Sequence, residues 1–235
     1  MKKLMIGLSF LFLVTTISAS DIQIQCDNHI DSWGNLKKIH AKDFSANILF
    51  KNIKLNKNAI GYGPGKNRQY EVSILDGRIY MARPAPNNKT LLRHNPTDSD
   101  GAAMLQVANV KKWGIYKELD NIDSQDALNF ELDDIVSELG CKKKFVLPFK
   151  IIGHAKSVTW SMDTDNRRVD TIKNVNIVLE GLYAKNKEMR VKHFMVKGTN
   201  THTHVILPQK DLAGHLQDII LDTGAKLYLP IKKGA

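Results

Sequence analysis

The chain has 235 residues, 34 Lys and Arg against 24 Asp and Glu, a formal net charge of +10 and 43% hydrophobic residues. That length and apolar share can support a core of its own, which excludes a disordered chain and a disulfide-dense miniprotein. The basic residues are scattered, the longest runs being Lys142-Lys143-Lys144 and Lys232-Lys233, and no recognition helix or aromatic RNA-binding pattern accompanies them. They mark solubility and attraction for anions such as a small carboxylate, not nucleic acid.

Lys2 and Lys3 precede an apolar stretch at 4–14, and the small residues Ser18, Ala19 and Ser20 follow, which is the layout of a secretory signal peptide. The stretch is too short to span a bilayer, and no cysteine follows it directly, so no stable membrane anchor is expected after cleavage. The mature chain is expected to begin near Ser20 or Asp21 and to be secreted or periplasmic. Removing Lys2 and Lys3 leaves 32 basic against 24 acidic residues, a charge of +8. Cys26 and Cys141 are the only cysteines. They form either one disulfide closing a long loop, worth about 4 kcal/mol in a chain-entropy picture, or two free buried thiols. Neither belongs to a CxxC pair, which argues against redox catalysis and a Cys-rich zinc site.

Alternation at 21–26 predicts a strand, and Trp33, Leu36 and Ile39 predict a short amphipathic helix. Strands at 71–75 and 78–81 flank Asp76-Gly77, a type I′ hairpin signal. A polar loop is expected at 84–100 and a strand at 102–110. Leu128, Leu132, Ile135, Val136 and Leu139 recur at helical spacing over 125–139, with Asp123 or Ser124 to cap the start and Gly140 to stop it. Strands are then predicted at 145–152, 157–162, 175–183, 189–196, 202–207, 216–222 and 226–231. This change of character divides the chain into a signal peptide at 1–20, an N-terminal α/β lobe at 21–144 and a C-terminal β lobe at 145–235.

Within the last run, Thr201-His202-Thr203-His204 and His215 give the spacing H-x-H-x10-H. Strand side chains alternate, so His202 and His204 share a face with Cβ atoms about 7 Å apart. A polar turn ending at Ala213-Gly214 is expected to return the chain and deliver His215. Three neutral nitrogen ligands with no local cysteine leave a coordination position open, as in a catalytic zinc site. Two solvated histidines on a polar strand face are the competing reading. His154 and His193 are expected to be surface or packed histidines, and Trp160 and Tyr183 core residues.

Three motifs together resemble the α-acetolactate decarboxylase family: a Gly61-Tyr62-Gly63 turn, the hairpin Glu71-x4-Asp76-Gly77-x2-Tyr80, and the triplet His202, His204, His215. The resemblance covers roughly residues 33–222. It implies an α+β fold with a mixed-sheet N-terminal lobe, a mainly antiparallel C-terminal lobe and a Zn2+ site in the cleft between them. It also implies decarboxylation of 2-acetolactate, or a related 2-hydroxy-3-oxo acid, to acetoin through a metal-stabilised enediolate. Glu71 would manage protons. Lys150 stands in Lys150-Ile151-Ile152-Gly153 where the family has Arg-Ile-x-Gly, keeping the charge but losing the bidentate fork. Pro64 stands where the family has a threonine, and no Glu occurs after Glu188 to supply the family's C-terminal glutamate, leaving Asp211, Asp218 or Asp222 as substitutes. Another zinc lyase or hydrolase on this scaffold, and a non-catalytic exported metal-binding protein, are the alternatives; the latter gains if Glu71 lies far from the histidines. A homodimer is left open.

Overall fold

The computed structural model describes residues 23–87, 89–142 and 144–232, so the expected signal peptide and its cleavage point lie outside the described residues. The N-terminal lobe comprises β1 (Ile30–Trp33), α1 (Leu36–His40), β2 (Ile48–Leu49), β3 (Ala59–Pro64), β4 (Glu71–Leu75), β5 (Arg78–Ala85), β6 (Lys89–Arg93), β7 (Gly101–Ala102) and β8 (Leu105–Asn109). Six of these strands form one sheet in the order β1-β8-β3-β4-β5-β6, antiparallel throughout and not mixed as expected; β2 and β7 form a separate pair. The β4–β5 hairpin turns where the sequence signals it. Asp76 and Gly77 both adopt positive φ (49° and 74°), and a Cβ at Gly77 would lie 2.4 Å from the Asn56 carbonyl oxygen.

The C-terminal lobe comprises β9 (Trp113–Leu119), α2 (Gln125–Glu138), β10 (Leu147–Met162), β11 (Arg168–Tyr183), α3 (Lys187–Lys192), β12 (Thr201–Leu207), β13 (Leu212–Leu221) and β14 (Ala225–Pro230). Its sheet runs β11-β12-β13-β10-β14-β9, and β10 also pairs with β11, so β10 to β13 close on themselves. The 16-residue strands β10 and β11 permit this closure because β10 changes partner along its length, from β14 to β13, with register shifts at Ala155/Ser157 and Thr159/Trp160. Leu128, Leu132, Ile135 and Val136 of α2 join one apolar cluster with Phe149, Ile151, Leu179, Val205, Trp160 and Tyr183. Ser124 caps that helix by accepting from the Ala127 amide.

Because β9 pairs with β14 and α2 packs on this cluster, the change of sheet falls between β8 and β9, not at residue 145. Other expectations are corrected. Residues 189–196 are not a strand: Asn186 accepts from the Glu188 and Met189 amides and starts α3. Gly61-Tyr62-Gly63 lies inside β3, paired on both sides, and is not a turn. The 84–100 segment is not all loop, since β6 pairs with β5. Segment 23–26 contributes one isolated bridge, Ile24 to Ile231, in place of a strand. Cys26 and Cys141 are joined by a disulfide. Among the described residues, no helix is long and apolar enough to cross a membrane.

Candidate functional site

Alternation along β10, β11 and β12 sends Phe149, Ile151, Leu179, Val205 and Leu207 into the apolar cluster with α2. The opposite face carries Lys150, Glu180, His202 and His204 and meets the N-terminal sheet, where Leu182, Ile206 and Ala213 pack with Ile60, Tyr62 and Leu75. Register makes Lys150 the partner of Glu180, Glu180 the partner of His204, and His204 the partner of His215. His215 therefore arrives from within β13 by strand pairing; the turn lies earlier than expected, between β12 and β13.

The three imidazoles are stacked or tilted against one another, with ring centroids 4.6 Å (His202 to His215), 5.4 Å (His202 to His204) and 5.5 Å (His204 to His215) apart. Tyr62 of β3 covers them, its ring 4.0 Å from His202 and 5.4 Å from His204. The segment after α3 sets two orientations at once. The His193 carbonyl accepts from Tyr62 Oη at 2.9 Å, and the Phe194 carbonyl lies 2.6 Å from His202 Nδ1. Phe194 has φ of 58°, so a strained backbone residue presents that second carbonyl. A carbonyl only accepts, so Nδ1 of His202 carries the hydrogen and Nε2 presents its lone pair.

His204 is fully buried. Its Nδ1 is 2.8 Å from Ser73 Oγ on β4, and its Nε2 has no hydrogen-bond partner. Glu71 Oε1 lies 3.6 Å from that Nε2, beyond hydrogen-bond distance. The contact is not an ion pair. Burial, reinforced by His202 and His215, pushes the His204 imidazole well below its usual value, and burial with the neighbouring Asp163 charge pushes the Glu71 carboxyl well above its own. His202 is pushed down to about 3 by burial and by His215. Both imidazoles are thus neutral at physiological pH, the form that binds metals.

Asp163, just beyond β10, connects the parts. Its amide donates to Glu71 Oε2 at 2.9 Å, while its carboxylate lies 3.6 Å from His215 Nδ1 and accepts from Arg167 Nε at 2.9 Å. The neighbouring His215 and then Arg167 hold that carboxyl well below the ordinary range. Arg68 grips the same turn from the N-terminal lobe, its Nη2 donating to the Thr164 carbonyl at 2.9 Å. The sequence reading missed Asp163, because nothing in the run Met162-Asp163-Thr164-Asp165 distinguishes it from a solvated turn. Asp211, Asp218 and Asp222 are engaged elsewhere, with His94, the Gln125 amide and His154 respectively.

The structure brings Glu71, His202, His204 and His215 together, and Pro64 is the cross-strand partner of Glu71. Lys150 is not joined to them: its ammonium bonds Asp76 at 2.9 Å and lies near the rings of Trp113 and Tyr228. Glu180 was not singled out in the sequence, yet it is wholly buried with neither carboxylate oxygen hydrogen-bonded, and burial raises its carboxyl well above the usual range.

Among the described residues, no three His, Cys, Asp or Glu side chains stand in ligating geometry about one point. The chain presents donors on one wall, not a closed shell. Their chemistry nevertheless fits a cation: His202 offers a fixed lone pair, His204 has an unbonded Nε2, and both Nδ1 atoms are tied to supporting groups as metal-bound imidazoles usually are. A pocket of about 190 Å³ reaches His215 from the rim, lined also by Asp163, Arg167, Gln125 and Gln217. The larger cavity of about 720 Å³ lies behind His193 and contains none of the three histidines.

No protein-family model matches the chain, and no curated protein sequence does. Solved structures do match. The α-acetolactate decarboxylase of Bacillus subtilis strain 168 superposes with a TM-score of 0.67 at 13% identity, over 87% of this chain and 86% of that one. Acetolactate decarboxylase from Bacillus subtilis subspecies spizizenii gives 0.67 at 14%, with the same coverage. A Staphylococcus aureus protein of unknown function, described as similar to alpha-acetolactate decarboxylase, gives 0.66 at 13%, again over 87% and 86%. The chain therefore has a distant acetolactate-decarboxylase-like α+β fold with two sheet lobes.

Proposed function

We propose that the chain is an exported, zinc-dependent carboxy-lyase that converts 2-acetolactate, or a related 2-hydroxy-3-oxo acid, to acetoin or its counterpart. The observation that carries this reading is the approach of Glu71 to within 3.6 Å of His204, on a fold like that of the decarboxylases. A non-catalytic metal-binding protein has no need of a buried proton carrier beside its histidines, and that reading is correspondingly weakened. His202, His204 and His215 would hold the ion, which when bound supplies a Lewis acid for a ketone oxygen.

The chain's own residues supply the rest. Ser73 and the Phe194 carbonyl orient His204 and His202. Tyr62 stacks against both rings and shields them on that side. Loss of carbon dioxide leaves an electron pair on carbon, and the product needs a proton there. Glu71 is suited to deliver it, because burial makes its carboxyl retain a proton to higher pH than an exposed glutamate does, while the Asp163 amide fixes Oε2 and leaves Oε1 toward the histidines. The Cys26–Cys141 disulfide supports export, since such bonds persist in oxidising compartments.

The test is acetoin formation from racemic 2-acetolactate by zinc-analysed protein, with Glu71→Gln alongside. We expect turnover that disappears on zinc removal and falls about 10²–10⁴-fold in the variant. Bound zinc without turnover, or turnover indifferent to Glu71, would overturn the decarboxylase reading.

A further inference from the structure

We infer that Arg167, not Lys150, reads the carboxylate of the substrate. This rests on the proposed reaction and identifies which cation selects its substrate class. The two candidates differ in what already occupies them. The Lys150 side chain is only 9% exposed and its ammonium is bonded to Asp76, whereas the Arg167 side chain is 53% exposed at the mouth of the pocket that reaches His215. Arg167 is the only Lys or Arg lining that pocket among the described residues.

Its guanidinium is also aimed. Asp163 Oδ1 accepts from Nε at 2.9 Å and Gln217 Oε1 from Nη2 at a long 3.4 Å, leaving Nη1 without a hydrogen-bond partner among the described residues. A guanidinium anchored at Nε keeps its outer edge available for the two parallel bonds that a carboxylate accepts. The anchor is the residue that also contacts Glu71 and lies beside His215. One turn therefore links the anion reader, the proton carrier and a candidate ligand, with Arg167 and His215 lining the pocket and Glu71 buried behind Asp163. The pocket's 190 Å³ suits a molecule of a few carbons. Asp163 acts as a positioning residue.

The experiment is calorimetric titration of the zinc-analysed protein with 2-hydroxyisobutyrate and with its uncharged amide, in wild type, Arg167→Met, Arg167→Lys and Lys150→Met, with zinc content and unfolding midpoint recorded for each. Wild type is expected to prefer the acid by about tenfold or more, as for loss of a charge-assisted hydrogen bond. Arg167→Met is expected to lose that preference with zinc content and midpoint retained, and Arg167→Lys to recover part of it. Retention of the preference in Arg167→Met, absence of any preference in wild type, or loss of it only in Lys150→Met overturns the inference. If no acetoin is formed while Arg167→Met still loses the preference, the decarboxylase reading fails and the Arg167 assignment stands.

Discussion

The two faces of strands β10 to β12 are built from the same backbone and obey opposite rules. One face packs Phe149, Ile151, Leu179, Val205 and Leu207 against α2 and carries only neutral polar atoms, Trp160 Nε1, Thr203 Oγ1 and Tyr183 Oη among them. The other, equally buried, carries Lys150, Glu180 and His204, and leaves His204 Nε2 and both Glu180 oxygens without hydrogen bonds. Burial of unsatisfied polar groups costs stability, so a fold tolerates it where the groups have another use. Burial by itself therefore does not separate scaffold from site in this protein. The kind of polar group does, since the buried ammonium, carboxylate and imidazole groups of these strands all lie on the second face.

The sharpest way to break this contrast is to truncate one residue on each face. His204→Ala is expected to abolish stoichiometric zinc binding while shifting the unfolding of the metal-free protein less than its size suggests, since an unbonded polar atom leaves with it. Leu179→Ala is expected to cost about 2–5 kcal/mol in denaturant unfolding and to leave zinc affinity unchanged. Equal effects on both readouts would dissolve the distinction between the faces.

Acid titration next probes a buried imidazole that belongs to neither face. His193, 3% exposed between Gln106 and Ser32, is pushed down to about 4 by burial and then by Lys192. Its folded value lies below the 6.5 of a free imidazole, so its stabilising contribution is full above that pH and is lost as pH falls toward 4. The loss is about 3 kcal/mol, and His193→Gln is expected to flatten that part of the stability curve. An unchanged curve would mean that the imidazole protonates freely in the fold. The smallest effect is expected from Ser73→Ala, which removes the hydroxyl on His204 Nδ1. Zinc affinity should weaken about 10–100-fold in a chelator competition, with no change in the His193 acid transition.

Local signals were legible wherever a pattern was short and self-contained. Asp76-Gly77 marked its hairpin turn, Ser124 and the leucine spacing marked α2 to within a residue of its end, and H-x-H placed two imidazoles on one face. Glu71 and Ser73, two residues apart on β4, share the face that meets the C-terminal lobe. What could not be read depends on partners distant in sequence. Asn186 capping turned an apparent strand into α3, and β3 declared itself only through β4 and β8 on either side. Asp163 and Arg167 lie in an ordinary polar turn, distinguished only when Arg68, nearly a hundred residues away, holds it against Glu71. Glu180 sits in a run, Ile177 to Tyr183, whose neighbours are apolar, and its significance comes from its register opposite His204.

That register couples correct assembly to competence. Shifting β12 by one residue would turn His202 and His204 into the apolar cluster and expose Val205 and Leu207 to the other lobe, a change the folded molecule cannot absorb. A misaligned copy is therefore rejected by its own core before it can persist as an inactive look-alike. The turn at 163–167 has no such constraint, being outside the pairing of β10 and β11. The exposed Arg167 position can therefore change to suit another substrate while Asp163 keeps its hold on Glu71 and the strands keep the histidines in line.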